Sequence, residues 1–520
     1  MTSTRCMTLL TMILLAGCGE RASSNDTASA VATSEQRPEP QEPQLDPTPP
    51  SIPADALKAA ASDDKVRDLY EKMGWKGLWS KASTAALDQA IGSRLRQGLD
   101  RLDFGKVDAA MSPAERDVAR TKAALAYAAA LARGAVDPTD LHEVYTIPAN
   151  ENNVAAGLAQ ALQQNRVAHF FAGLVPQDDD YWQLSKAYVA YSRQGAQAQA
   201  AKIADDDTIH PGDRDPRVIE VARQLAANGY LPEGAIPAAN DGQPPQYGPA
   251  IIEGVKRLQA DYGIKTDGLV GDETLAVINT GPADKARALA VALERRRWLS
   301  RTPPATRIDV NAAAATLDYY RDGKLVDQRR VIVGQPGRET PPLRSPLYRL
   351  VANPTWTIPK SIPVSSATIR AKDMHKVNGY WVQPSGPQNA LGLVKFDMEN
   401  NQQIYLHDTS DRSLFDRTQR DLSHGCVRVQ DALGFAGMIA KQEGVEGAWQ
   451  KARQSGEQTF VDLPRPIPVR LLYRDVFVDG KGEIAFRTDP YGWNDEVAKK
   501  LGFGGGRSKK ATAKDIDLGP

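Results

Sequence analysis

Near residue 306 the apolar period of this 520-residue chain changes from that of helices to that of strands. At about 100–200 residues per domain a chain of this length suggests two to four domains, and the change of period marks where the last one begins. Upstream, Leu125, Ala128 and Leu131 recur at helical spacing in an alanine-rich run. Ser112-Pro113 is a start signal and Gly134 a stop. Tyr70, Trp75, Trp79, Phe104, Tyr181 and Trp182 are expected in the core of this part. A second helical set follows, with Val218, Val221 and Leu225 on one face and Ile251, Val255, Leu258 and Tyr262 on another. Its Gly263 to Thr274 stretch is rich in turn residues, Asp215-Pro216 is expected to start its first helix, and Asp272 to cap its last. A further helix around 283–299 ends in Arg295-Arg296-Arg297, expected on a solvated face.

Downstream, Asp322-Gly323 sits between two β-rich runs and predicts a hairpin. Two more pairs are expected: Leu393–Met398 with Gln403–His407, and Val469–Val478 with Ile484–Arg487. One helix near Asp431–Lys441 interrupts them. The class is therefore multidomain α+β: a helical scaffold, a small three-helix module and a mostly β domain. The expected boundaries are a leader over 1–18, a disordered linker over 19–55, the scaffold over 56–204 and the module over 205–282. A connecting helix over 283–305, the β domain over 306–495 and a flexible tail over 496–520 complete the chain.

The leader has Arg5 ahead of an apolar stretch, Met7 to Leu15, too short to span a bilayer. It ends in Leu15-Ala16-Gly17-Cys18, which resembles the bacterial lipoprotein box. That resemblance implies acylation of Cys18, removal of Cys6 with the leader, and a periplasmic, lipid-anchored protein. Gly19 in place of an aspartate favours the outer membrane. Buried acyl methylenes favour anchoring by about 0.8 kcal/mol each. The Pro- and Glu-rich stretch after it reads as a tether. With 64 basic and 64 acidic residues there is no bulk charge for nucleic-acid binding. Three cysteines give no disulfide framework.

That leaves Cys426 as the thiol of the folded part. It lies in Ser423-His424-Gly425-Cys426-Val427-Arg428, a polar loop rather than an apolar run, and Gly425 permits unusual backbone angles. His407 ends a predicted strand nineteen residues earlier. A free thiol with a pKa of about 8.5 is only slightly ionised at neutral pH, so a nucleophilic sulfur needs a base beside it. His407 is the candidate base and Cys426 the candidate nucleophile. The amides of Gly425 and Cys426 are candidates to hold an oxyanion. Ser423, His424, Arg428 and Tyr405 are candidate contacts for substrate or oxyanion. Zinc is disfavoured, because His-Gly-Cys is a cramped ligand spacing and no fourth ligand is evident. No cofactor is expected.

The segment from His407 to Arg428 resembles the signature of the bacterial L,D-transpeptidases. Upstream, Arg330 to Gly334, Thr340-Pro341, Asn353 to Pro359 and Gly386 to Phe396 are similar to that family's large periplasmic members. Residues 205–282 resemble the three-helix peptidoglycan-binding domain. The resemblance implies that the thiolate of Cys426 attacks a tetrapeptide stem at its diaminopimelate–D-Ala bond and releases D-Ala. The amine of an acceptor diaminopimelate then resolves the thioester into a 3→3 cross-link. It also implies a substrate flap at about 357–386, with Tyr380-Trp381 near substrate, a carboxylate or loop contact for Arg428, and sensitivity to carbapenems. Three alternatives stay open: water as acceptor (a carboxypeptidase or endopeptidase), coupling of the wall to an outer-membrane protein through a lysine, and a non-catalytic wall-tethering lipoprotein.

Overall fold

The computed structural model describes residues 39–150, 152–195, 202–238, 242–359 and 364–504. The leader with Cys18, most of the linker and the end of the tail lie outside them.

The scaffold helices form where capping and alanine content predict. Ser112 and Glu115 make a reciprocal capping box at the start of the helix Pro113–Arg133, and Gly134 ends it. Inside, the Asp117 carboxylate is buried yet satisfied. It accepts from Tyr70 Oη at 2.5 Å and from the amides of Leu78 and Trp79 at 3.1 Å each. Tyr70, Trp79 and Tyr181 are buried in this core, while Trp75, Phe104 and Trp182 are half-buried.

Four expectations that bear on the scaffold are corrected. The helix Pro282–Trp298 is not a mere connector, because Leu289, Ala290 and Leu293 are buried in the scaffold core. Its arginines are not all solvated: Arg295 and Arg297 are buried, each with partners that offset desolvation. Arg297 donates to Glu294 at 2.6 Å, and to Tyr181 Oη and the Gln97 carbonyl at 2.8 Å each. Arg295 donates to Asp475 at 2.9 Å and Asn494 at 2.6 Å. Residues 496–503 are not a flexible tail, since the helix Asn494–Lys500 puts Val497 and Ala498 into that same core, followed by Leu501 and Phe503. The end of the expected linker is also docked. Glu42 accepts from the amides of Ala168 (3.1 Å) and His169 (3.0 Å), free donors at the start of the helix Val167–Leu174.

The small module packs the helices Val218–Ala227, Pro249–Tyr262 and Asp272–Ile278 around its own core. Asp215 braces the Arg217 amide at 2.8 Å one turn ahead of the first helix, rather than capping it directly. Gly271, not Asp272, is the cap residue of the third. Gln259 organises the turn, taking Gly268 N–H at 2.9 Å and donating to Leu269 O at 3.1 Å. The module touches the β domain through Thr266–Thr418 (2.6 Å) and Thr488–Tyr262 (3.2 Å).

The β domain contains β1 (Arg307–Asn311), β2 (Thr316–Arg321), β3 (Lys324–Gly334), β4 (Leu343–Ala352), β5 (Trp356–Thr357), β6 (His375–Val377) and β7 (Tyr380–Gln383). It continues with β8 (Val394–Met398), β9 (Leu406–His407), β10 (Asp421–Ser423), β11 (Val427–Val429), β12 (Thr459–Leu472), β13 (Val476–Val478) and β14 (Ile484–Phe486). Among the described residues nine strands form one sheet, ordered β10-β3-β11-β9-β8-β4-β12-β1-β2, and β2 also pairs with β3. Asp322 and Gly323, at φ 51° and 81°, turn β2 into β3 as a two-residue hairpin requires. The helices Ala432–Gln442 and Glu446–Gln454 bury Phe435, Ile439 and Trp449 with the sheet's apolar residues. The expected long strand over 469–478 is instead broken at Leu472. Its continuation, β13, pairs with β14 in a separate ribbon. The break accommodates Asp475, which is buried against Arg295. Between β4 and β8, β5, β7 and β6 make a small sheet within the expected flap.

The Arg295–Asp475–Asn494 cluster thus joins scaffold and β domain. Arg295→Met strands a buried carboxylate and should lower stability by about 3–5 kcal/mol. A thermal unfolding midpoint equal to wild type would contradict this.

Candidate active site

Three neighbouring strands set one row of side chains. Antiparallel β8 and β9 place Lys395 opposite His407, and parallel β9 and β11 place His407 beside Arg428. Residues paired in register share a face, as do residues two apart on one strand. Tyr405 and His407 accordingly meet, with ring centroids 5.6 Å apart. Lys395 Nζ lies 4.3 Å from the Tyr405 ring centroid. Cys426 stands two residues before Arg428, and the Val427 amide donates to the Tyr405 carbonyl at 3.1 Å.

The loop before the sulfur is built from its own hydrogen bonds. Ser423 Oγ donates to the Cys426 carbonyl at 2.6 Å and accepts the Gly425 amide at 3.2 Å. The Gln335 amide donates to the Ser423 carbonyl at 2.9 Å. Thr340 Oγ1 donates to the Gly425 carbonyl at 2.9 Å and accepts the Gly334 amide at 2.9 Å, and Tyr491 Oη donates to the Gly334 carbonyl at 2.6 Å. Gly425 has φ 113°, a conformation that side chains disfavour.

Cys426 is 6% exposed and is the free cysteine among the described residues. Its Sγ lies 3.7 Å from the Gln403 carbonyl. Burial pushes the thiol up to about 11, against hydrogen bonding from the Tyr405 main chain and phenol and the positive charges of Lys395 and Arg428. His407 is fully buried. Burial, then the Arg428 charge, holds its pKa well below the usual imidazole range; the Asp408 backbone opposes this and Lys395 adds to it. Both groups are neutral at pH 7.

One expectation changes here, that of the Gly425 amide. The imidazole and the sulfur are not hydrogen-bonded, because neither ring nitrogen of His407 has a partner of good geometry among the described residues. The partners of the sulfur are Tyr405 and the Gln403 carbonyl. The Gly425 amide is not open to an oxyanion, since Ser423 Oγ holds it. Of that expected pair, the Cys426 amide is the one the loop does not use. Ser423 is fully buried, Arg428 is 2% exposed and His424 half-buried. Tyr380 is exposed, and Trp381 packs with Trp356, Ile358, Met374 and Leu391 in a cluster that also contacts Tyr405. Cys18 lies outside the described residues. Lys395 and Thr340 are missed as site residues by sequence reasoning. A lysine inside an otherwise buried strand is the one signal that pointed to the former.

Ser423→Ala leaves the Gly425 amide and the Cys426 carbonyl without their buried partner. It should cost about 1–3 kcal/mol, read as a lower thermal midpoint. An unshifted midpoint would show that the loop is held by other contacts.

Comparison with known proteins follows the same divisions. Residues 305–448 match the YkuD family, described as "L,D-transpeptidase catalytic domain". Residues 64–188 match "Scaffold domain", and residues 214–278 match "Putative peptidoglycan binding domain". A curated protein of Haemophilus influenzae, named "Putative L,D-transpeptidase", is 32% identical over 224 residues. The match covers 36% of this chain and 45% of that protein's length. An L,D-transpeptidase structure from Xylanimonas cellulosilytica is 17% identical, covering 52% of this chain and 98% of that one, at a TM-score of 0.17. A cysteine-to-serine mutant of an Enterococcus faecium L,D-transpeptidase is 14% identical, covering 49% and 100%, also at 0.17. Overlaps that low do not bear on the present fold. By these matches residues 305–448 are similar to an L,D-transpeptidase catalytic domain, and they follow stretches similar to a scaffold domain and a peptidoglycan-binding domain.

Proposed function

We propose that the protein is a cysteine-dependent L,D-transpeptidase that makes 3→3 cross-links between peptidoglycan stems. The observation that carries this is the Cys426 thiol on its braced loop, beside Tyr405, His407, Lys395 and Arg428, within the matched catalytic domain. In the first half-reaction Sγ attacks the diaminopimelate carbonyl of a donor tetrapeptide and the S–H proton passes to the neutral His407 ring. The C–N bond to D-Ala then breaks, the imidazolium returns its proton to the leaving amine, and a thioester remains. In the second half-reaction the side-chain amine of an acceptor diaminopimelate attacks that thioester, its proton is taken by His407, and the thiol is regenerated. Arg428 offers a fixed cation for a stem carboxylate. The peptidoglycan-binding-type module is consistent with the wall as substrate.

The same reading places the protein in the periplasm, with a diacylglycerol on Cys18 holding it to the outer membrane. Among the described residues no helix is long and apolar enough to cross a membrane. Radiolabelled palmitate should enter the wild-type protein in cells and not Cys18→Ala; equal labelling of the two would remove the anchor from this account.

Intact mass spectrometry of the leaderless protein with a tetrapeptide muropeptide, or with a carbapenem as acylating probe, tests the chemistry. Wild type should gain one adduct and Cys426→Ala none, while His407→Gln loads at least about 100-fold more slowly. Loading of Cys426→Ala at the wild-type rate would overturn the nucleophile. Chromatography of the products should show 3→3 dimers; trimmed monomers alone would make water the acceptor.

A further inference from the structure

We propose that Lys395 is a positioning residue of the thiol site: its ammonium, lying over the Tyr405 ring, holds that phenol against Cys426 and supplies a fixed positive charge beside the sulfur. The inference rests on the reading of Cys426 as nucleophile and adds a group that sits outside the Ser-His-Gly-Cys motif.

The ammonium makes two contacts, an ion pair and a contact with the Tyr405 ring, and the second is the one that reaches the thiol site. Lys395 Nζ contacts Asp397 at 2.8 Å. Asp397 already has Arg349, whose Nε and Nη2 approach the same carboxylate at 3.0 and 2.8 Å. Both guanidinium nitrogens go to Oδ2, and Lys395 takes Oδ1, so the two cations share the carboxylate. The same Nζ lies 4.3 Å from the Tyr405 ring centroid, inside the range of a cation–π contact. Tyr405 also packs on the cluster of Trp356, Ile358 and Leu391. The phenol thus meets a cation, an apolar cluster and, through its hydroxyl, the sulfur. Register puts Lys395 directly opposite His407, so the same ammonium also disfavours a proton on that ring.

The groups facing the sulfur are accounted for element by element. Tyr405 and His407 come from β9 and the residue before it, Lys395 from β8 and Arg428 from β11, and His424 is a half-buried neighbour in the loop. The Arg338 and Glu339 carbonyls approach at Gly425 from the segment after β3. Arg428 and Lys395 are the cations felt by the thiol, and Lys395 is the more exposed, at 27% of its side chain.

The test is the pH profile of Cys426 alkylation by iodoacetamide in the full chain, for wild type, Lys395→Gln, Lys395→Arg and Tyr405→Phe, with a thermal melt of each. Losing one nearby cation should move the Lys395→Gln midpoint up by about one pH unit, which makes alkylation about tenfold slower below it. Lys395→Arg should restore the wild-type midpoint. Removing the lysine in a Tyr405→Phe background should cost less than in wild type, because part of its effect passes through the phenol. If Lys395→Gln loses its melting transition, Lys395→Met, which keeps the stem on the ring, gives the same comparison. A folded Lys395→Gln or Lys395→Met profile that superimposes on wild type overturns the proposal. Alkylation needs no wall substrate, so that failure is distinct from the acyl loading of Cys426→Ala that would defeat the transpeptidase reading.

Discussion

Burial of the Cys426 sulfur is the constraint to which the rest of the site answers. A thiol removed from water resists ionisation, and its pKa rises to about 11 here. The three-strand register of β8, β9 and β11 sets against this two cations, a phenol and a main-chain N–H, all from neighbouring positions. The same burial keeps His407 neutral. A neutral imidazole can accept a proton, whereas an imidazolium cannot. The resting site is therefore an uncharged pair, and charge separation is deferred to the moment of attack. In the reaction proposed above, a water-poor site of this kind would also protect the thioester from hydrolysis.

The scaffold and the β domain behave as one built object. Arg295 from the scaffold helix reaches Asp475 and Asn494, which lie beyond the last strand of the main sheet. The helix Asn494–Lys500 then returns the chain to the scaffold core. Tyr491, just ahead of that helix, donates to the Gly334 carbonyl beside the thiol loop. The loop is thus connected to the scaffold by a short run of chain, a mechanical reason for a catalytic segment to keep a large helical partner.

Much of this was legible in the sequence because local signals agreed with the final structure. Ser112-Pro113, Gly134 and Asp322-Gly323 punctuate elements where capping and turn chemistry say they should. The thiol motif and its upstream histidine come together across adjacent strands. Most of the failures come from long-range partners, and one, at Gly425, from a hydroxyl two residues away. Arginines at 295 and 297 look solvated until residues about 180 and 116 positions away supply acceptors. Residues 496–503 look like a tail until their apolar positions find the scaffold core. The Gly425 amide looks free until the Ser423 hydroxyl turns back onto it. Lys395 looks like one strand residue among others until register sets it across from His407.

An uncharged resting pair differs physically from a preformed thiolate–imidazolium pair, and the two are separable by titration. NMR of protein labelled with 13C at the Cys426 Cβ and 15N in the histidine rings reports both protonation states in the absence of substrate. The carbon shift should stay that of a thiol, and the His407 nitrogens those of a neutral ring, from pH 5 to pH 8. A common midpoint for both signals inside that range would mean the sulfur is ionised at rest, contrary to the picture drawn from its burial.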